Sequence, residues 1–371
     1  MAVTDAYFTL LPRRQYTDPA VFEAEFERVF ARQWLFAGHV SQLPTPGDYL
    51  VEEIAGESVL VVRTPSGEIR AFFNVCRHRG YPVCEGTCGN VKRFVCSYHS
   101  WVYSLDGELT GAAATPDGEC GIDYGNLSLF DVHVTVFHGL IYVCLGDERP
   151  AELVDTVAEW ADGVEVYDLP HTKEVFREAY EVRANWKTML ENYLECHHCT
   201  GNHKALGQPM DLGAMFDTTS SWLGEYFGGA MPLKAGTKTA SLSGDLVSIP
   251  LGSADPERAE HTEGMGWGIV PTLSRIIIHV DHFVVHFLRP VAVDEVVWQS
   301  RWYVNDRAVE GVDYDLDRVT EVWRITNRED VDLCEGAYRG VRSRRFTSGP
   351  IHAVRESAIK TALTTYEQMM A

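Results

Sequence analysis

Two short segments, each with one cysteine and one histidine, restrict this chain more than anything else in it. Cys76-x-His78 is followed, after seventeen residues, by Cys96-x-x-His99. Each segment offers one thiolate and one imidazole. That set suits a [2Fe–2S] cluster with two cysteines on one iron and two histidines on the other. Imidazoles in place of two thiolates remove negative charge and raise the potential, so the cluster accepts and passes single electrons. Cys₂His₂ also binds zinc, but zinc fingers usually pair Cys with Cys and His with His, whereas each segment here is mixed. Gly80, Pro82 and Gly107, with the aromatics Tyr98 and Trp101, suit tight loops over a cluster. Cys84 and Cys88 lie between the segments and read as buried thiols rather than ligands.

The rest of the chain reads as a frame for that centre and for a second one. "DPAVFEAEFERVFARQWLFAG" has an N-cap at Asp18 and apolar residues at helical spacing. From residue 41 to 148 short β-rich runs alternate with Gly and Pro-Ser-Gly turns, as in an all-β domain. Residues 149–371 mix long helical patterns with "SRIIIHVDHFVVHFLRPVAV" and "EVVWQSRWYVND", two strands of an antiparallel sheet. "TVAEWADGVEVYD", "NWKTMLENYLECHHC", "DYDLDRVTEVWRITNREDVDLCEGAYRG" and the last 17 residues read as helices. The expected class is α+β: an N-terminal helical segment (1–40) packing on the larger domain, an all-β domain (41–148), and an α+β domain with an antiparallel sheet flanked by helices in a helix-grip arrangement (149–371).

The formal net charge of -21 argues against phosphate-driven nucleic-acid binding. No apolar run approaches the roughly 18 residues of a spanning helix, and the N-terminus lacks a basic segment followed by an apolar one. Both absences point to a cytoplasmic protein with no membrane partner. Nine cysteines in such a chain favour metal ligands or free thiols over a disulfide framework.

With the second histidine-rich stretch, "NWKTMLENYLECHHCTGNH" (185–203), the chain resembles the Rieske non-haem iron oxygenases over nearly its whole length. Mapped onto that family's motif, His198 and His203 would be ligands of a mononuclear Fe(II), and Asp330 in "NREDVDLCE" the third. Two histidines and one carboxylate on one face leave positions open for O₂ beside a substrate. Asp332 is a rival pointing about 200° away from Asp330 on a helix, and Glu329 is a weaker rival. His197 and His198 point about 100° apart on a helix, so both cannot face one iron. Most family members have an aromatic where this chain has His197, which reads as a satisfied, partly buried histidine. Cys196 and Cys199 read as packing.

The resemblance also implies catalytic roles for Glu195 and Asn192. Glu195 shares a helix face with His198 and would bridge to His78 or His99 of a neighbouring subunit in a homotrimer. Glu191 would be structural, and Asn192 would support the iron. An NAD(P)H-dependent flavin or iron–sulfur reductase, or a ferredoxin, would supply electrons, with O₂ and a small molecule as substrates. "AFFNVCRHRG", "ANWK", "LEN", "EC" and "AVEGVDYD" resemble the glycine-betaine, stachydrine and carnitine monooxygenase group. A quaternary ammonium needs aromatic faces, and Trp222, Tyr226, Phe227 and Trp267 lie where the family builds its pocket. His279, His282 and His286 either contact a substrate or alternate with core residues. Hydroxylation of an aromatic ring or acid is the alternative. A Rieske electron carrier without oxygenase activity, and a zinc-stabilised binding protein, are the competing classes.

Overall fold

The computed structural model describes residues 6–112, 124–156, 163–214, 221–223, 226–257, 261–267 and 273–371; for residues 221–230 and 261–267 it describes the backbone only. The chain divides into two compact units, Arg32–Pro150 and Met1–Ala31 with Ala151–Ala371.

In the first unit, strands β1 (Leu35–His39), β2 (Asp48–Ile54), β3 (Glu57–Arg63), β4 (Ile69–Phe73), β5 (Cys88–Asn90), β9 (Asp131–Phe137) and β10 (Leu140–Cys144) form a sheet in the order β1-β10-β9-β4-β3-β2-β5. Every neighbouring pair is antiparallel. Because β1 pairs with β10, the unit begins at Arg32 rather than at residue 41. A second sheet holds β6 (Phe94–Val95), β7 (Trp101–Tyr103) and β8 (Leu109–Ala112). Leu60, Val62, Phe72, Phe94, Trp101 and Tyr103 form one apolar core with Cys76 and Cys96. A side chain on Gly107, at φ 84°, would run into the Phe72 ring.

In the second unit, strands β11 (Thr172–Val182), β12 (Ser221–Leu223), β13 (Tyr226–Pro232), β14 (His261–Trp267), β15 (Ser274–Ile278), β16 (His282–Ala292) and β17 (Glu295–Asn305) form a sheet ordered β11-β17-β16-β15-β14-β13-β12. All its pairs are antiparallel. The run expected as one strand, 274–293, is two. It turns at 279–281, where the buried Asp281 accepts from Thr239 Oγ1 (2.7 Å) and Val247 N (2.6 Å). Those partners lie far away in sequence, so local pattern could not announce the turn.

Helices α1 (Pro19–Arg28), α2 (Trp186–Tyr193), α3 (Cys199–Asn202), α4 (Leu316–Val341) and α5 (Ser357–Met370) belong to this unit. Asp18 caps α1 by accepting from Ala20 N, as its sequence suggests. The long helix α4 buries Val319, Trp323, Asn327, Asp330, Cys334 and Tyr338, one stripe at three- and four-residue spacing. Trp323 and Val319 pack with Ile277, Val284 and Trp302 of the sheet. Of the helix expected over 156–168, residues 157–162 lie outside the described set.

Helix α2 is held from inside. Glu25 of α1, fully buried, accepts from Trp186 Nε1 (2.7 Å), from Tyr366 Oη of α5 (2.6 Å) and from Lys187 Nζ. A buried charge pair left without a partner is costly, so this satisfied network holds three helices in one arrangement. Tyr16 Oη donates to Glu191 Oε1 at 2.5 Å, and burial pushes the Glu191 carboxyl up to about 7.

Candidate metal centres

The cluster residues sit on two loops of like construction. Gly80 N donates to Cys76 O, and Ser100 N to Cys96 O, both at 2.9 Å. The fourth residue after each cysteine is left-handed, with φ 75° at Gly80 and 55° at Ser100. Cys76 N donates to Tyr81 O (2.8 Å) and Cys96 N to Trp101 O (2.9 Å), closing each loop. Asn74 Oδ1 accepts from Val83 N and Cys84 N and steadies the first loop from behind. Cys76 and Cys96 are buried, whereas His78 is exposed and His99 half-exposed. His78 stacks on Trp101 (4.8 Å) and His99 on Tyr98 (3.8 Å).

The two imidazoles present Nδ1 to Nδ1 at 3.1 Å. Two lone pairs cannot stay so close without a shared proton or a metal, and the thiols of Cys76 and Cys96, one on each of the same two loops, interact with each other. The set fits a [2Fe–2S] cluster. Cys84 is partly buried, its thiol pushed up to about 12 by desolvation. Cys88 is exposed on the edge strand β5, contrary to the expectation of a buried thiol.

Tyr103, which the sequence reading passed over, touches this centre. Its hydroxyl accepts from Arg77 N (3.0 Å) and lies 3.3 Å from Cys76 Sγ, to which it donates once that sulfur is a cluster thiolate with no proton of its own. Burial holds the phenol well above its usual range, so that proton stays in place. Hydrogen bonds to cluster sulfurs favour the reduced state. The Tyr103→Phe protein should show a cluster potential lower by about 40 mV, the equivalent of about 1 kcal/mol for one electron. A redox titration followed by electron paramagnetic resonance checks this; an unchanged potential would remove the role.

At the second centre, α2 ends at Tyr193, five residues before His198, instead of continuing through the whole motif. Glu195 accounts for the break. Its carboxylate accepts the backbone N–H of His197 and, at 3.4 Å, that of His198, drawing those groups out of a helical ladder. The same carboxylate takes His198 Nδ1 at 2.5 Å. Glu195 and His198 therefore meet through a turn rather than a shared helix face. The turn leaves Cys196 and Cys199 with Cα atoms 4.9 Å apart, and the two are joined as a disulfide rather than held as packing thiols. His197 is exposed, not partly buried.

His198 Nε2, His203 Nε2 and Asp330 Oδ1 converge. The carboxylate oxygen lies 3.2 Å from the first nitrogen and 3.0 Å from the second. Glu329 Oε2 accepts from His203 Nδ1 at 2.8 Å. With Glu195 on His198 and Glu329 on His203, each ring gives its N–H to a carboxylate and turns a lone pair inward, the usual support for a metal-ligating histidine. His203 Nε2 is buried and makes no hydrogen bond, yet faces a carboxylate oxygen. That contact needs a cation. Burial pulls the His198 pKa down, but the hydrogen bonds of Asp330 and Glu195 outweigh it and raise it to about 9. The pocket thus favours positive charge. Two imidazoles and a carboxylate suit Fe(II), and the residues present fit it.

Asn192 Nδ2 lies 3.2 Å from Asp330 Oδ1 and 3.3 Å from His198 Nε2. Asp332, the rival two residues on, is exposed. Cys199 Sγ falls among the donor atoms, within 4.8 Å of the two histidine nitrogens, but is committed to the disulfide. The backbone sets Trp222 opposite Phe227 and puts Tyr226 and Trp267 on neighbouring strands, while their side chains lie outside the described residues. His279 is buried in the turn between β15 and β16 and accepts from Trp323 Nε1 at 2.9 Å.

Residues 33–130 match the Rieske [2Fe-2S] domain and residues 170–371 the ring hydroxylating alpha subunit catalytic domain. The glycine betaine monooxygenase oxygenase subunit of Pseudomonas aeruginosa is 32 % identical over 398 residues, which span 97 % of this chain and 89 % of that one. The carnitine monooxygenase oxygenase subunit of Acinetobacter pittii is 33 % identical over 222 residues, 58 % of each chain. A solved quaternary ammonium Rieske monooxygenase, described in terms of carnitine oxidation and inter-subunit electron transfer, superposes with a TM-score of 0.81 at 22 % identity, covering 99 % of this chain and 96 % of that one.

Proposed function

The chain belongs to the ring-hydroxylating Rieske oxygenases, and from that premise we propose that it hydroxylates an N-methyl carbon of a small betaine-like quaternary ammonium compound. The observation that carries this reading is the likeness to the glycine betaine enzyme across 97 % of the chain. When bound, the cluster supplies electrons one at a time and the mononuclear iron supplies O₂ activation.

The protein's part is to hold those groups and the substrate in place. Cys76, Cys96, His78 and His99 would hold the cluster; His198, His203 and Asp330 would hold the iron. Asn192 steadies Asp330. Glu195 fixes the His198 ring with the Nδ1 proton between them. A carboxylate has about four acceptor positions, so Glu195 can also take an N–H from a cluster histidine of a neighbouring copy. The exposure of His78, and of the Tyr98 ring stacked on His99, supports such a contact. The assembly is then a homotrimer, each copy passing electrons to the next.

Oxygenase components of this family take electrons from a reductase and act on small molecules. Here an NAD(P)H-dependent reductase, directly or through a ferredoxin, would serve, which places the system in the cytoplasm. Among the described residues no helix is long and apolar enough to cross a membrane. In the overall change, R–N(CH₃)₃⁺, O₂, two electrons and two protons give R–N(CH₃)₂CH₂OH⁺ and water. The hydroxymethyl product then collapses to the tertiary amine, formaldehyde and a proton.

A panel of betaines and aromatic acids, run with a generic reductase, tests the reading. Formaldehyde release with the betaines is the expected result; activity confined to the aromatic acids would overturn it.

A further inference from the structure

We propose that Arg275 and His286 form an anion-binding subsite beside the iron residues, so that the substrate carries a carboxylate as well as the group that is oxidised. This rests on the reading of the chain as an oxygenase and narrows its substrate class.

Arg275 of β15 stands directly opposite His286 of β16, which stands directly opposite Ser300 of β17. Directly paired residues share one face of a sheet. That face lies against α4: Asn327 Nδ2 donates to Ser300 Oγ (3.0 Å), and the Trp323 ring meets His286 edge-on at 5.4 Å. Asp330 is three residues beyond Asn327 on the same helix, and its charge reaches both Arg275 and His286. Tyr193, at the end of α2, joins the two. Its ring lies 5.8 Å from the Arg275 guanidinium and 6.4 Å from the His286 ring.

Neither side chain is satisfied. The Arg275 guanidinium is enclosed strongly enough for burial to lower its pKa, yet the residue keeps partial access to solvent. Its polar neighbours are Met231 Sδ at 3.5 Å, a weak acceptor, and the Tyr193 ring; no carboxylate among the described residues pairs with it. A cation held in such surroundings without an ion partner is unfavourable. The fork of N–H groups has the geometry to take a carboxylate through two parallel hydrogen bonds.

His286 supplies a further donor. Ser300 Oγ accepts from Asn327 and lies 2.7 Å from His286 Nδ1. With the serine proton given to Nδ1, the hydrogen of the neutral ring is on Nε2, which is buried and has no partner. Burial lowers His286 to about 3, which keeps the ring neutral and the donor singular.

Glycine betaine and choline are the probes, since they share a trimethylammonium group and differ in the carboxylate. Binding to the iron-loaded enzyme is measured by titration calorimetry, and KM and kcat by formaldehyde release. Arg275→Gln should weaken glycine betaine about 10- to 100-fold, the worth of a charge-assisted pair. KM should rise more than kcat falls, and choline binding and iron content should stay unchanged. Arg275→Lys should fall between the two. Equal losses for both probes, or loss of iron with the substitution, would overturn the proposal and make Arg275 a counter-charge for Asp330. An Arg275→Gln protein as good as the parent would overturn it too. If that variant fails to fold, His286→Phe and the parent enzyme's own preference for betaine over choline carry the test, and no preference counts against the subsite. Should no trimethylammonium compound be oxidised while aromatic carboxylates bind and lose affinity in Arg275→Gln, the subsite stands and the betaine reading falls.

Discussion

The Glu195→Ala enzyme should retain both metal centres, about three irons per chain, and lose turnover by about 100-fold, the upper end for a carboxylate behind a metal-bound histidine. The reason lies in what Glu195 touches. It accepts His198 Nδ1 at 2.5 Å and the backbone N–H of His197, so it sets both the tautomer of the ring and the turn that delivers it. None of the three iron ligands is removed, so iron should stay at saturating Fe(II), its affinity weakened as expected for a lost partner of a ligating histidine. On the proposed bridging role, the electron route to a neighbouring cluster histidine would be lost. The distinguishing measurement is reoxidation of the reduced cluster when substrate and O₂ are added. In Glu195→Ala the cluster should stay reduced far longer than in the parent. Rapid reoxidation with full turnover would remove the bridging role. Glu195→Gln, which keeps an acceptor oxygen, should recover part of the rate.

The two metal centres were legible because ligands of one atom must come close, and the chain supplies them in short motifs. Cys76-x-His78 and Cys96-x-x-His99 each fit one tight turn, and no long-range information is needed to see them. Asp330 was harder, since its sequence holds three acids within four residues. Only the stripe buried by α4 separates them: Asp330 lies in it, Glu329 on its flank and Asp332 outside. What depended on distant partners was not legible. The end of α2 follows from Glu195 capturing backbone N–H groups, a choice that helical periodicity does not contain. The break at 279–281 follows from Asp281 finding Thr239 and Val247. Glu25 sits in an amphipathic helix among surface acids, and its burial is explained only by partners roughly 160 to 340 residues away. Arg275 and His286 lie eleven residues apart in sequence and meet only through strand register.

Asp330→Ala should yield a protein with about two irons per chain, an unchanged cluster spectrum and no detectable turnover. Among the described residues, Asp330 is the one carboxylate whose oxygen approaches both inward histidine nitrogens, at 3.2 and 3.0 Å. Two neutral imidazoles alone make a weak site for Fe(II), a metal that competes poorly for nitrogen ligands. Stability should fall as well. Asp330 is buried in the interior of a 26-residue helix, where alanine is the better helix former by roughly half a kcal/mol. Against that, its carboxyl is desolvated, yet its pairing with His198 and His203 outweighs the burial and holds it below the usual carboxylate range. A lowered carboxyl beside a raised His198 is stability at neutral pH that goes when the pair is broken, so the metal-free variant should unfold earlier than the metal-free parent. Asp332→Ala, on the exposed face of the same helix, should keep the third iron. Glu329→Ala should weaken iron affinity by about 10- to 100-fold through the His203 ring it orients. Iron analysis of the three variants decides the matter: a third iron that survives in Asp330→Ala and disappears in Asp332→Ala would reassign the ligand.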